Sequence, residues 1–228
     1  MISSSLNRRV LSGVFLLPLT VFIVITGGLL FKLAVGICFG LAVKEWIRMT
    51  RLCKHTVRDA ILGLAYLLIG FVAFIKLRTD FDQGLFFTVT LMFGVWASDI
   101  AAYFTGKKFG GPKLAPKISP NKTWAGFIGG TMGSGLTLLA IDYFVPIFGG
   151  KMGLDVLPFA PLYMAFIIGA LFTVFGQIGD LAMSFYKRRA GVKDTGTLIP
   201  GHGGLLDRID SLLLVTPFFL IVLLELSK

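Results

Sequence analysis

Four of the chain's twelve acidic residues, Asp180, Asp194, Asp207 and Asp210, fall between positions 180 and 210. Lys187, Arg188, Arg189, Lys193 and Arg208 lie in the same stretch. This mixture suits phosphate chemistry. Carboxylates hold Mg²⁺ together with water and substrate phosphate oxygens, while Lys and Arg bind phosphate oxygens directly, Arg in bidentate fashion. If the chain after Gly204 is helical, Asp207, Asp210 and Ser211 share a face, and Asp180 shares one with Ser184. Two helix ends then present carboxylates to a common point. Between them runs Thr195-Gly-Thr-Leu-Ile-Pro-Gly-His202-Gly203-Gly204. Its glycines let backbone N–H groups point at an anion, and a helix starting near Leu205 adds partial positive charge. Asp180 alone could equally cap a helix or pair with Lys187, and the loop alone could be an ordinary turn. Four acids in one connection favour a site. His202 has three open roles: general acid/base, phosphate ligand or structural hydrogen-bonder.

A second polar cluster runs from Asp99, an acid inside an apolar stretch, to Trp124, and contains Lys107, Lys108, Lys113, Lys117 and Lys122. Membrane topology suffices to explain the first three lysines. Lys122, just before an expected helix start at Thr123, is the better anion ligand. The phosphate loop GxxxxGK[ST], the GxSxG elbow and HExxH do not occur in the sequence.

The elements that must position these residues are membrane helices. The 228 residues are 55% hydrophobic and only 15% charged, and the charges sit in clusters between long apolar stretches. Seven spans are expected, at roughly 10–26, 29–48, 59–75, 85–104, 123–141, 161–179 and 209–226. Alternate connections then carry 17 of the 22 Lys and Arg on one side and 5 on the other. The positive-inside rule places the N-terminus and the three basic loops in the cytoplasm. The expected fold is therefore all-α, a polytopic transmembrane bundle of about seven spans. The net charge of +10 reflects these loops, and no nucleic-acid-binding pattern accompanies it. Cys38 and Cys53 show no metal or disulfide spacing. Arg8 and Arg9 ahead of an apolar run read as a retained signal anchor. The fifth span carries GxxxG pairs at Gly126/Gly130 and Gly129/Gly133, a close-packing signal that serves within the chain or across a homodimer.

The stretch Ser184-Phe-Tyr-Lys187-Arg188, then Lys193-Asp194-Thr-Gly196, then Ile199-Pro-Gly-His202-Gly203-Gly204-Leu-Leu-Asp207-Arg208-Ile-Asp210 resembles the signature of the phosphatidate cytidylyltransferases. Asp99, Lys117-Ile-Ser-Pro-Asn-Lys122-Thr and Gly179-Asp180-Leu are similar to further family motifs. Tyr186 departs, standing where the family usually has an aliphatic residue or Phe. The likeness covers the chain from Asp99 onward, so the expected single membrane-embedded domain, 1–228, divides into N-terminal spans of weaker match (1–84) and catalytic spans and loops (85–228). The resemblance implies transfer of CMP from CTP to phosphatidate in phospholipid biosynthesis, releasing pyrophosphate, with two divalent ions, Mg²⁺ by expectation. It implies Asp180 and Asp207 as metal ligands, with Asp210 and Asp99 as further candidates. Lys187, Lys193 and His202 join Asp180 and Asp207 as catalytic candidates. Ser184, Arg188, Arg208, Lys122, Asp194, Gly203 and Gly204 are the substrate-binding candidates. The expected partners are CTP, phosphatidate and membrane lipid, and the expected place is the bacterial inner (plasma) membrane, with the site facing the cytoplasm. A CTP-dependent lipid kinase and a cation-binding transporter are the competing readings. The long signature disfavours the first, and acids confined to one connection disfavour the second.

Overall fold

The computed structural model describes residues 2–53, 56–149, 161–199, 201 and 203–226, with side chains described from 12 to 145 and again from 161 within those limits. Among the described residues seven helices run in the order α1 (Ile2–Thr26), α2 (Gly28–Thr50), α3 (Thr56–Thr79), α4 (Gly84–Phe109), α5 (Trp124–Gly149), α6 (Tyr163–Arg189) and α7 (Leu206–Leu226). Five of them, α3 to α7, are long and apolar enough to cross a membrane. α2 has the length, but Lys32, Lys44, Glu45 and Arg48 interrupt it. Large apolar side chains cover the outer faces: Leu62, Ile69, Phe104, Ile128 and Ile221 are all more than half exposed. In water such a surface would aggregate, and in a bilayer it is solvated. The chain is an integral membrane protein.

One departure from the all-α expectation is a two-stranded antiparallel hairpin, β1 (Lys113–Ala115) and β2 (Ser119–Thr123), between α4 and α5. Pro112, Pro116 and Pro120 cannot continue a helix, and Pro116 and Pro120 push Ala115 and Ser119 toward the extended backbone of the strands. Gly110 and Gly111, both at positive φ, end α4 and turn the chain into β1. Thr123 then caps α5, its Oγ1 accepting the N–H of Gly126 at 3.1 Å.

All seven helices run past at least one expected span end, and two of these extensions shape the polar end of the bundle. α6 was expected to stop at 179 and runs to Arg189, because nothing between Asp180 and Arg189 breaks a helix. It ends only at Gly191, at φ 70°. Three basic residues in its last turn complement the helix dipole. α7 starts at Leu206, three residues earlier than expected.

Small residues bring the helices together, as they must where lipid supplies no hydrophobic drive between them. A side chain at Gly126 would meet the Ala102 carbonyl at 2.9 Å, and one at Gly133 the Ala97 carbonyl at 3.0 Å, both on α4. One at Gly135 would meet the Phe166 ring of α6 at 2.7 Å. The glycine face of α5 is thus used within the chain. Ser98 and Thr173 hydrogen-bond across the α4–α6 contact at 2.8 Å. At the other end of the bundle, Arg78 reaches from α3 to the last carbonyls of α1, donating to Val24 O at 3.0 Å and Ile25 O at 3.4 Å. Those carbonyls have no partner inside their own helix.

Candidate active site

The basic ends of α2, α3, α4, α6 and α7 and the β hairpin gather at one end of the bundle, and side-chain contacts tie them together. Asp180 lies on α6, two turns before its end. Its Oδ1 accepts a hydrogen bond from Ser184 Oγ at 3.2 Å, as the i, i+4 spacing predicts. Its other oxygen pairs with Lys122 of β2, not with Lys187. Lys122 also donates to Gln177 Oε1 at 2.7 Å. The hairpin therefore delivers Lys122 to α6, and Arg188 strengthens the junction by donating to the Ile118 carbonyl at 3.4 Å.

Asp180 interacts electrostatically with both Asp99 of α4 and Asp210 of α7, and Lys122 acts on the same two acids. Close approach of α6 and α7 creates this meeting. A side chain at Gly179 would lie 2.5 Å from the Asp210 carbonyl, so glycine there lets the two backbones touch. Arg208 adds its charge near Asp99.

Asp207 lies in the first turn of α7 and is fully engaged. Its Oδ1 accepts from Lys187 at 2.8 Å; the two side chains are 5% and 12% exposed. Its Oδ2 accepts the N–H groups of Thr195 at 2.8 Å and Gly204 at 3.0 Å, and lies 3.0 Å from Thr195 Oγ1. The shared face expected for Asp207 and Asp210 divides in practice. Asp207 turns to Lys187 and the glycine loop, while Asp210 turns to Asp180.

Between α6 and α7, Ile199 and Gly203 exchange backbone hydrogen bonds at 2.9 and 3.2 Å. The amides of this loop do face carboxylates, as the glycine pattern suggests, but the carboxylates belong to the chain itself. The second of these is Glu45 of α2, 8% exposed. Its Oε1 accepts Leu205 N–H at 2.9 Å, and its Oε2 accepts Leu206 N–H at 3.0 Å and Thr195 Oγ1 at 2.9 Å. The N-terminus of α7, expected to await a substrate anion, holds Glu45. The glycines are explained by the same crowding. A side chain at Gly204 would meet Glu45 Oε2 at 2.5 Å and the Gly196 amide at 2.7 Å, and Gly203 stands at φ 92° with Asp207 beside it.

Lys193 and Asp194 are exposed on the outer side of this loop. His202 lies outside the described residues. Lys107 and Lys108 stack over the Tyr103 and Phe109 rings, away from the acids.

Among the described residues, no three His, Cys, Asp or Glu side chains converge tightly enough to hold a metal ion by themselves. The donor chemistry nevertheless fits a hard divalent cation, which is ordinarily held by one or two carboxylates together with water and substrate phosphate. Of the four acids expected to ligate a metal, Asp180 and Asp207 are each paired with a lysine ammonium, so positive charge is already matched to their oxygens.

A family model described as the cytidylyltransferase family matches residues 7–74 and 54–226. The chain belongs to the cytidylyltransferase family. A Rickettsia conorii protein named phosphatidate cytidylyltransferase is 34% identical over 213 residues, 93% of this chain and 89% of that protein. A Rickettsia bellii protein of the same name is 35% identical over 224 residues, covering 96% and 91%. One from Brucella suis is 45% identical over 151 residues, covering 66% and 51%.

Within this cytidylyltransferase fold, three contributions escape a reading of motifs. Glu45 stands 150 residues from Thr195. One signal does mark it: an acid near the C-terminal end of a helix opposes its own helix dipole, so its partner must lie elsewhere. Gln177 orients Lys122. Asp59, 0% exposed, pairs with Arg189 at 3.0 Å and accepts Trp46 Nε1–H on its carbonyl at 3.1 Å, locking α3 to α6 and α2.

Proposed function

We propose that the protein transfers CMP from CTP to phosphatidate, giving CDP-diacylglycerol and pyrophosphate. The observation that carries this reading is the polar end of the bundle. Two lysine–carboxylate pairs, Lys122–Asp180 and Lys187–Asp207, flank a glycine loop in a chain whose surroundings are otherwise apolar. The names of the Rickettsia relatives, aligned along nearly their whole length, supply the substrate class.

The chemistry asks little of a base. A phosphate monoester is already largely ionised at neutral pH, and its oxygen attacks the α-phosphorus of CTP while the bond to the β-phosphate oxygen breaks. The obstacle is bringing two polyanions together, so fixed positive charge at the transferring phosphate is the main catalytic need. Lys122, Lys187, Arg188, Lys193 and Arg208 supply it. Ser184 orients Asp180 for its partner. Gly203 and Gly204 fit close beside Asp207 and Glu45, Asp194 stands exposed next to them, and His202 is by our reading a further catalytic group. Asp180 and Asp207, with Asp210 and Asp99 beside them, would hold divalent ions, Mg²⁺ by our reading. When bound, these ions neutralise phosphate charge and stabilise the departing pyrophosphate.

We further place seven spans in the bacterial inner membrane, with α1 and α2 completing the set as a hairpin at Gly27 and Gly28, both at positive φ. The N-terminus and the active site face the cytoplasm, where CTP is supplied. The gathering of basic helix ends around the site supports this orientation. A homodimer would have to use the lipid-facing surface of other helices, since the glycine face of α5 is occupied.

Purified protein given CTP labelled at the α-phosphate, phosphatidate and Mg²⁺ should form labelled CDP-diacylglycerol. Transfer of label from γ-labelled CTP to lipid would establish a kinase instead.

A further inference from the structure

An apolar cavity of about 210 Å³ lies between α1, α2, α3, α4 and α7. Val24, Ala34, Phe71, Met92 and Ile209 are among its walls. Two threonines also line it, but both hydroxyls are spent within their own helices. Thr20 donates to Leu16 O at 2.8 Å and Thr216 to Leu212 O at 2.7 Å. A space of this size and lining has nothing to hold water. Apolar cavities of roughly 150 Å³ stay dry and accept hydrocarbon ligands.

The position of the cavity is informative. Leu205 forms part of its wall and gives its N–H to Glu45 at the edge of the glycine loop. From there Leu205, Ile209, Leu212, Leu213 and Thr216 make one continuous stripe along α7, at the spacing of a single helix face. Asp210 and Ser211, between them in sequence, turn to α6 instead. One helix therefore separates a phosphate-handling face from a hydrocarbon-lined one. From Leu205 to Thr216 the stripe rises eleven steps, about 16 Å along the helix axis, from the polar end toward the membrane interior.

We infer that this cavity is the seat of an acyl chain of the lipid substrate, held on one side of α7 while its phosphate lies at the other side's acids. The inference rests on the proposed transfer to a lipid phosphate, and it adds that chain length is read between α1, α2, α3 and α7. Ala34→Trp fills the cavity without touching any residue of the polar site. With dihexanoyl phosphatidate the variant should match the unmodified protein, which also shows that it is folded. With dioleoyl phosphatidate its KM should rise roughly ten- to a hundred-fold, the value of two or three lost methylene contacts. If the unmodified protein turns over neither lipid, the transfer reading itself fails. If it turns over both and Ala34→Trp shows the same chain-length profile, the cavity assignment is overturned.

A second measurement needs no variant. Phosphatidate carrying a diazirine on its acyl chain should cross-link to peptides containing Val24, Ala34 or Ile209. Excess unlabelled phosphatidate should suppress these adducts, and excess phosphatidylethanolamine should not. Adducts confined to other helices, or equally suppressed by both lipids as expected for a bulk-lipid site, would overturn the assignment.

Discussion

Replacing Glu45 by Gln changes one atom of the side chain and removes the anion that accepts the Leu205 and Leu206 N–H groups at the start of α7. The carboxylate serves three donors, Leu205 N–H, Leu206 N–H and Thr195 Oγ1, and is almost fully buried. The amide keeps one acceptor oxygen and turns an NH₂ toward a donor that the other oxygen served. At least one hydrogen bond to a charged acceptor is lost and one buried N–H faces another donor. Each such loss is worth about 1.5–3 kcal/mol, and a helix cap contributes about 0.5–2 kcal/mol, so with the overlap between the two the loop is destabilised by about 2–3 kcal/mol. That corresponds to a roughly 30- to 150-fold increase in loop opening. Hydrogen exchange of the Leu205 and Leu206 amides reads the whole change. The value of kcat/KM for CMP transfer falls by up to the same factor as the open form becomes populated. Glu45→Asp, one methylene shorter, should recover little, because the reach from α2 is lost. Unaltered exchange at both amides together with unaltered kcat/KM in Glu45→Gln would show that the carboxylate does not hold the loop.

Lys187→Ala leaves Asp207 buried without its cation, a change that costs about 3–5 kcal/mol when one partner of a buried pair is removed; thermal unfolding in detergent should shift downward and transfer should be lost, with Lys187→Arg recovering part of both. Gly204→Ala forces a methyl group against Glu45 and the Gly196 amide, so kcat/KM should drop at least tenfold while membrane insertion, read by fractionation, is unchanged. Gly133→Leu separates α4 from α5 at the Ala97 carbonyl and should lower the unfolding temperature measurably, whereas Gly36→Leu, with open space around it, should not. Chelation of divalent ions should abolish transfer, and added Mg²⁺ should restore it.

Much of the site was legible because its residues are close in sequence. Asp180 and Ser184 meet as helical spacing requires, and the 195–204 glycines do bring backbone amides onto carboxylates. What could not be read was whose carboxylates these are. Glu45 and Asp207 are supplied by α2 and α7, and spacing rules reach only one or two helical turns. The extension of α6 to Arg189 was hidden by treating charge as the end of a span; charge ends the hydrocarbon-facing part of a helix, not its hydrogen-bond ladder. Three prolines in nine residues rule out a helix there but do not by themselves specify the β hairpin, which the all-α expectation missed. Its consequence, the delivery of Lys122 to Asp180, depends on a docking angle that no local pattern encodes. Similarly, Asp180 and Lys187 share a helix, yet each pairs with a residue on a different element.

The clasp between Glu45 and the start of α7 also orders events in time. At a synthesis rate of roughly 5–20 residues per second, Glu45 leaves the ribosome some ten to thirty seconds before Leu205, which lies 160 residues later. Until the start of α7 arrives, the carboxylate lacks the Leu205 and Leu206 N–H groups. The glycine loop has nothing to fold against. A nascent chain halted before α7 therefore carries most of its helices and no reactive centre, and competence begins only when the last helix is threaded beside the second.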